Sequence, residues 1–269
     1  MLSTSPTPRH LAAATVVALS ALAASGQTPA APRLPAPQAP AAQVAPQVAI
    51  NRTTIFLDPS HGGVDSGSRI GDSTLEKDVT LALAFKLRSL LAARGFTVTM
   101  TRDADNPTEP NAAASPLTLD DRAGIANQSH AVACLLLHAT ARGKGVHLYA
   151  SELTATQGVV TPEPWLTAQA PWVPASQQLE SRLSQALSRA GIATLSSTAS
   201  VRPVDSLACP ALVVELAPEN DDPDSISDAD YQQRVSLALA GALLFWQTNA
   251  QPPIKLLPAP IPSPTVQQP

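Results

Sequence analysis

AVACLLLH, residues 131–138, is apolar without interruption until its final histidine. A strand with one wet face alternates apolar and polar residues, so an unbroken run of this kind belongs to a strand covered on both faces. Upstream, TTIFLD (residues 53–58) is a short apolar strand, and ALVVE (residues 211–215) downstream is again a buried strand. FTVTM (residues 96–100) and VHLYA (residues 146–150) read as further strands. Helical spacing fills the intervals. From about Leu75 to Arg94, Leu83, Leu87, Leu90 and Leu91 fall at i, i+4, i+7 and i+8 on one face. Gly95 supplies a C-terminal stop. LTLDDRAGIANQ (residues 117–128) reads as a helix, and another runs over about 175–190, closed by Gly191. The last, about 228–247, is expected to place Tyr231, Val235, Ala238, Ala242 and Phe245 on one face. Alternating strands and helices predict an α/β fold, a single layered domain with a mostly parallel sheet flanked by helices. In such a sheet the functional groups gather at the carboxyl ends of the strands.

The chain has 269 residues, 44% of them hydrophobic, enough for a core. With aromatics at only 3%, that core must be built from Leu, Val, Ile and Ala. A formal charge of −4 without a basic stripe argues against a nucleic-acid partner. Residues 1–26 read as a signal peptide: Arg9 and His10 precede an apolar run from Leu11 to Ser25, and small residues follow. That run is shorter than the roughly 20 residues of a membrane span, so no stable span is expected after signal removal. The protein is therefore expected to be exported, to a periplasm or the cell exterior. Residues 27–50 are a Pro/Ala-rich linker and residues 251–269 a Pro-rich tail, both expected to be disordered. Between them, 51–249 is one segment of ordinary single-domain size. Cys134 and Cys209 are read as buried thiols in neighbouring strands, although export permits a disulfide.

Polar groups end the apolar strands. His61 follows IFLD after a Pro-Ser turn, His138 closes ACLLLH, and Glu215 closes ALVVE, while Glu76 starts the first long helix. Parallel strands would bring all four to one sheet edge. Two imidazoles and two carboxylates suit a catalytic zinc, which takes three protein ligands and keeps a fourth position open. The remaining carboxylate can then act as general base. Each residue has a plainer reading alone. A histidine after a strand is usually a surface group, and a glutamate at a helix start favours the macrodipole. Glu215 is the least plain, because an acid ending a buried strand must be paired, protonated or bound to metal.

Several ordered motifs resemble the zinc-dependent N-acetylmuramoyl-L-alanine amidases of the amidase-3 type. LDPSHGGVDSG (57–67) resembles the segment of the first ligand and LEKDVTLALA (75–84) that of the second. LLLHA (135–139) resembles the third, and CPALVVELA (209–217) the last strand with its catalytic glutamate. TRDAD and LDDRAGIAN put Arg102, Arg122 and Asn127 where the family has its Arg and Ala-Asn pair. The resemblance implies Zn²⁺ held by His61, Glu76 and His138, with Glu215 as base. It implies hydrolysis of the amide between N-acetylmuramic acid and L-alanine in peptidoglycan; separately, a monomer is expected. The chain departs from the pattern at Ser60, where Gly is usual, at Thr140, where Asn is usual, and after Glu215, where LAPENDDPDS replaces an aromatic-rich loop. Asp65 is expected to order the first metal loop. Two other readings are a zinc carboxypeptidase, which would need an Arg such as Arg102 or Arg122 for a terminal carboxylate, and a wall-binding pseudoenzyme that keeps the fold. An autoinhibitory helix in 141–174 is not expected, given its density of Gly and Pro.

Overall fold

A computed structural model describes residues 54–105, 116–154 and 164–249. All of them belong to the unit Val48–Pro269. The expected signal peptide, linker and C-terminal tail lie outside the described residues. Six strands form one sheet there: β1 Thr54–Pro59, β2 Thr97–Met100, β3 Ala133–Ala139, β4 Val146–Ser151, β5 Thr194–Ala199 and β6 Ala211–Leu216. Their order is β2-β1-β3-β6-β4-β5. Every neighbouring pair is parallel except β4 with β6, which is antiparallel. The helices are α1 Glu76–Ala92, α2 Leu119–Gln128, α3 Val173–Arg189 and α4 Ala229–Asn249.

The period of two along each strand divides the side chains between two unequal layers. Ile55, Leu57, Leu135, Leu137, Leu212 and Val214 join Leu83, Leu87 and Leu91 of α1, Leu179, Leu183 and Leu187 of α3, and Val235, Leu239 and Leu243 of α4. The opposite face carries Phe56, Cys134, Leu136, Ala211 and Val213, under Ala123 and Ala126 of α2 and the segment Val204–Cys209. Three helices therefore cover one face, while one helix and a short segment cover the other. The next residues of the same parity on the second face are Asp58, His138 and Glu215. There the apolar cover ends and polar groups begin.

Helix α2 is positioned by its ends. Thr118 and Asp121 form a reciprocal capping box at its N-terminus. Near its other end, Asn127 donates to the Ser206 carbonyl at 3.0 Å and accepts from the Ala208 N–H at 2.7 Å, tying the helix to the approach to β6.

One strand is additional to those expected, and two expectations are corrected. Strand β5, TLSSTA, carries no apolar pattern because it is a largely exposed edge strand paired only to β4. The buried stripe of α4 is Tyr231, Val235, Leu239, Leu243 and Trp246; Phe245 is half-exposed, with the Arg182 guanidinium 4.8 Å from its ring centroid. A stripe drawn through Ala238 and Phe245 is rotated off the packed face, because alanines score as apolar without showing which side packs. Cys134 and Cys209 are joined in a disulfide rather than left as thiols. It links β3 to the segment entering β6 on the α2 side of the sheet. Between 141 and 174, the described residues hold β4, two short 3-10 turns and the first two residues of α3, with residues 155–163 outside the description.

Candidate metal centre

The loop after β1 is shaped by its own backbone. His61 has φ of 63°, a left-handed conformation that a non-glycine residue adopts only when its surroundings impose it. Two buried arginines impose it here. Arg102 donates to the carbonyls of Pro59 (2.9 Å), Ser60 (3.1 Å) and Lys77 (2.7 Å). Arg122, reaching from α2, donates to the His61 carbonyl at 3.0 Å and is ion-paired with Asp58, itself buried at the end of β1. Removing one partner of such a buried pair costs about 3–5 kcal/mol, because the other charge is left without compensation. On the outer side, Lys77 donates to the Gly63 carbonyl and pairs with Asp105, which in turn accepts from the Gly63 N–H. The loop is thus fixed from both flanks.

His61, Glu76 and His138 converge, each offering a ligand atom within 4.8 Å of the others. Nε2 of His61 lies 3.2 Å from Oε2 of Glu76, and Nδ1 of His138 lies 2.9 Å from Oε1. Zinc with bonds of about 2.0–2.1 Å sets tetrahedral ligands roughly 3.3 Å apart, so these separations suit it. The nitrogens facing away are held as well: Asp65 bonds Nδ1 of His61 at 2.9 Å, and the Ser60 hydroxyl bonds Nε2 of His138 at 2.8 Å. Such outer partners fix ring orientation and tautomer in metal sites. Asp65 also accepts from the Gly67 N–H at 3.1 Å, so it orders the loop as expected. Gly67 must be glycine: at φ of 63°, a Cβ there would stand 2.6 Å from the His61 ring and 2.8 Å from Glu76.

Charge follows this geometry. Burial pushes the Glu76 carboxyl up, but hydrogen bonds from His138, His61 and the Ser68 N–H outweigh it and hold the group well below the usual carboxylate range. The hydrogen bond to Glu76 raises the His61 pKa against burial, with help from Asp65. The carboxylate is therefore fully ionised, as a metal ligand must be. Glu76 is buried, whereas the two imidazoles are about a quarter to a third exposed, so the centre opens on one side. That side is a cleft of about 240 Å³, bounded by Leu117, Leu119, Arg202 and Pro203. Trp165 and Trp172 do not line it.

Glu215 lies beside this group on β6, in register with His138 on β3. Paired residues on adjacent strands point to the same face. Its Oε2 accepts from Nδ1 of His147 at 2.8 Å and from the Tyr149 hydroxyl at 3.3 Å. Burial, then the neighbouring carboxylate, raises the Tyr149 pKa, which keeps its hydroxyl a donor. The sequence alone does not mark His147 or Tyr149 as site residues. Their signal was the parity of VHLYA, but β4 had first to be placed beside β6.

A match to the N-acetylmuramoyl-L-alanine amidase family covers residues 55–244. A germination-specific N-acetylmuramoyl-L-alanine amidase of Bacillus subtilis is 50% identical over 56 residues, 21% of this chain and 23% of that protein. The N-acetylmuramoyl-L-alanine amidase AmiA of Escherichia coli is 33% identical over 88 residues, 33% of this chain and 27% of that protein. The matched stretch thus spans about a quarter of each relative. Among solved structures, an N-acetylmuramoyl-L-alanine amidase from Clostridium difficile 630 shares the fold at a TM-score of 0.56 and 23% identity, over 75% of this chain and 100% of that one. The amidase Ami1 of Mycobacterium smegmatis does so at 0.58 and 19%, over 73% and 97%.

Proposed function

Because this chain belongs to the N-acetylmuramoyl-L-alanine amidase family, we propose that it is a zinc-dependent hydrolase of peptidoglycan, cutting the amide between N-acetylmuramic acid and the L-alanine of the stem peptide. The observation that carries this reading is the convergence of His61, Glu76 and His138 in an open cleft, with Glu215 in register with His138. In this reading the first three hold the metal and Glu215 is the general base. Zinc, when bound, would polarise the amide carbonyl and acidify the attacking water. Glu215 takes a proton from that water as its oxygen bonds to the lactyl carbonyl carbon. The carbon–nitrogen bond then breaks, and Glu215 returns the proton to the departing alanine nitrogen. Asp65 and Ser60 keep both imidazoles in the orientation that a metal requires.

A carboxypeptidase reading is weakened by the arginines it would need. Arg102 is spent on backbone carbonyls and Arg122 on Asp58 and the His61 carbonyl, so neither is free for a terminal carboxylate. The pseudoenzyme reading draws on Ser60, Thr140 and the altered stretch after Glu215. Ser60 supports His138, and the Thr140 hydroxyl accepts from the Arg142 N–H at 3.2 Å, so both residues have structural places that leave the four groups intact. Action outside the cytoplasm is supported by the disulfide, since such bonds persist in oxidising compartments. Among the described residues no helix is long and apolar enough to cross a membrane. The test is to incubate purified protein with peptidoglycan sacculi, with and without a chelator. Release of intact stem peptides, lost with chelator and restored by zinc, is expected. Release of single terminal amino acids would instead support the carboxypeptidase, and no release at all the pseudoenzyme.

A further inference from the structure

His138, Glu215 and His147 form one cross-strand row. Glu215 on β6 is paired with His138 on β3 and with His147 on β4. Strands in a sheet lie about 4.8 Å apart, so one carboxylate sits between two imidazoles, of which only His138 belongs to the group of three converging ligands. His147 is buried, and its Nδ1 meets Oε2 of Glu215 at 2.8 Å. A carboxylate only accepts, so Nδ1 carries the proton. Tyr149, two residues on and on the same face, adds its hydroxyl to the same oxygen at 3.3 Å. The ring of His147 is held from behind: a Cβ on Gly143 would stand 2.6 Å from its Cε1 and Nε2, so the turn leaving β3 closes directly over the imidazole. Among the described residues, both hydrogen-bond donors to Glu215 meet Oε2 and none meets Oε1.

We propose that His147, seconded by Tyr149, is a positioning residue for Glu215: it engages Oε2, fixes the plane of the carboxylate, and leaves Oε1 as the oxygen that accepts the proton of the attacking water. This rests on the reading of Glu215 as general base. His147 keeps its own proton throughout. The proton removed from water resides on Oε1 until it passes to the alanine nitrogen, so hydrolysis balances without a relay through the imidazole. A histidine serving stability alone would also explain burial and pairing, since a buried polar group needs a partner. The two roles differ in what a substitution changes.

The full-length zinc-loaded protein should be assayed on sacculi as wild type, His147→Leu, His147→Asn, Tyr149→Phe and Glu215→Gln. Misplacement of a reacting group by about 1 Å can cost roughly 100-fold in rate, so His147→Leu should lose kcat on that order with KM and zinc content unchanged. Asparagine restores an N–H donor on the same side of the chain and should recover most of the loss. Tyr149→Phe, missing one long hydrogen bond, should lose only about fivefold. Independently of activity, proton NMR should show a hydrogen-bonded Nδ1–H from His147 in the wild type that shifts in Glu215→Gln with zinc retained. This measurement needs no folded variant at position 147. Wild-type kcat in His147→Leu, equal loss in the leucine and asparagine variants, or an Nδ1–H indifferent to Glu215→Gln would each overturn the proposal. If Glu215→Gln is inactive while His147→Leu is not, the proposal alone falls. Should Glu215→Gln turn over normally, the reading of Glu215 as base falls, and the proposal with it.

Discussion

Glu215 ends a buried strand yet stands partly exposed in the sheet, because its neighbours in register are histidines rather than apolar side chains. Replacing it by glutamine conserves shape and removes the proton acceptor. Glu215→Gln should keep zinc and melting temperature but lose about 10²–10⁴-fold in turnover; a sample that holds zinc, melts like wild type and releases stem peptides at a normal rate would rule out the role. His61 makes a pH prediction. Its pKa is raised above 6.5, chiefly by the hydrogen bond to Glu76. The imidazole must lose its proton to bind metal, so protons compete with zinc up to a higher pH than at an ordinary histidine. Zinc affinity should therefore fall on acidification, starting at a higher pH than it would for an ordinary histidine, by about tenfold per pH unit for each proton displaced. Competition titrations with a chromophoric chelator would show this, and a flat profile between about pH 7.5 and pH 5.5 would contradict it.

At the scale of elements, the centre depends on the loop between β1 and α1 more than on either element. Gly67 lies where that loop passes behind His61 and Glu76, and alanine there meets both and also strains the left-handed backbone. The backbone penalty alone is about 1 kcal/mol. Gly67→Ala should therefore lower zinc affinity by more than tenfold while reducing thermal stability only modestly. Metal titration followed by calorimetry would check it; unchanged affinity would mean that the loop yields more easily than its packing suggests. Much of this was legible beforehand. The convergence of His61, Glu76 and His138 was legible because each stands at or just past the end of an element, and ends of parallel elements meet. Of the supporting shell only Asp65 was, four residues from His61; the parts played by Ser60, Arg102 and Arg122 were not, because they contribute through carbonyls and ring nitrogens 42–78 residues away.

At the scale of the molecule, two predictions concern the folding unit. The disulfide closes a loop with a sequence separation of 75 on the less heavily covered face. Removing it as Cys134→Ala with Cys209→Ala should cost about 2–4 kcal/mol in denaturant unfolding, through the entropy returned to the unfolded chain; a change under about 0.5 kcal/mol would show that packing on that face is sufficient. The second concerns boundaries. We propose that 51–249 folds by itself. The last helix puts Tyr231, Val235, Leu239, Leu243 and Trp246 into the core, and the Trp246 indole donates to the Val132 carbonyl at 2.9 Å. A chain of residues 51–249 should melt with the full-length protein, whereas one ending before Ala229 should not fold. Cooperative melting of the shorter chain would refute the assignment of α4 to the core.

AVACLLLH, TTIFLD and ALVVE by themselves determined the α/β class and the central parallel strands β1, β3 and β6, because a strand buried on both faces needs apolar residues at every position. Spacing in the segment beginning at Leu75 likewise settled α1, since a stripe at 3.6 residues has one way to face a sheet. Edge strand β5 stayed hidden because solvent accepts Ser and Thr there without any pattern. The packed face of α4 was decided only by contact with α1 and α3, among alanines that show no side from periodicity alone. So was the pairing of the two cysteines, which depends on how β3 and the entry to β6 are brought together. The row His138–Glu215–His147 is likewise a product of register: β6 lies between β3 and an antiparallel β4, and that juxtaposition exists only once residues far apart in the chain share one sheet.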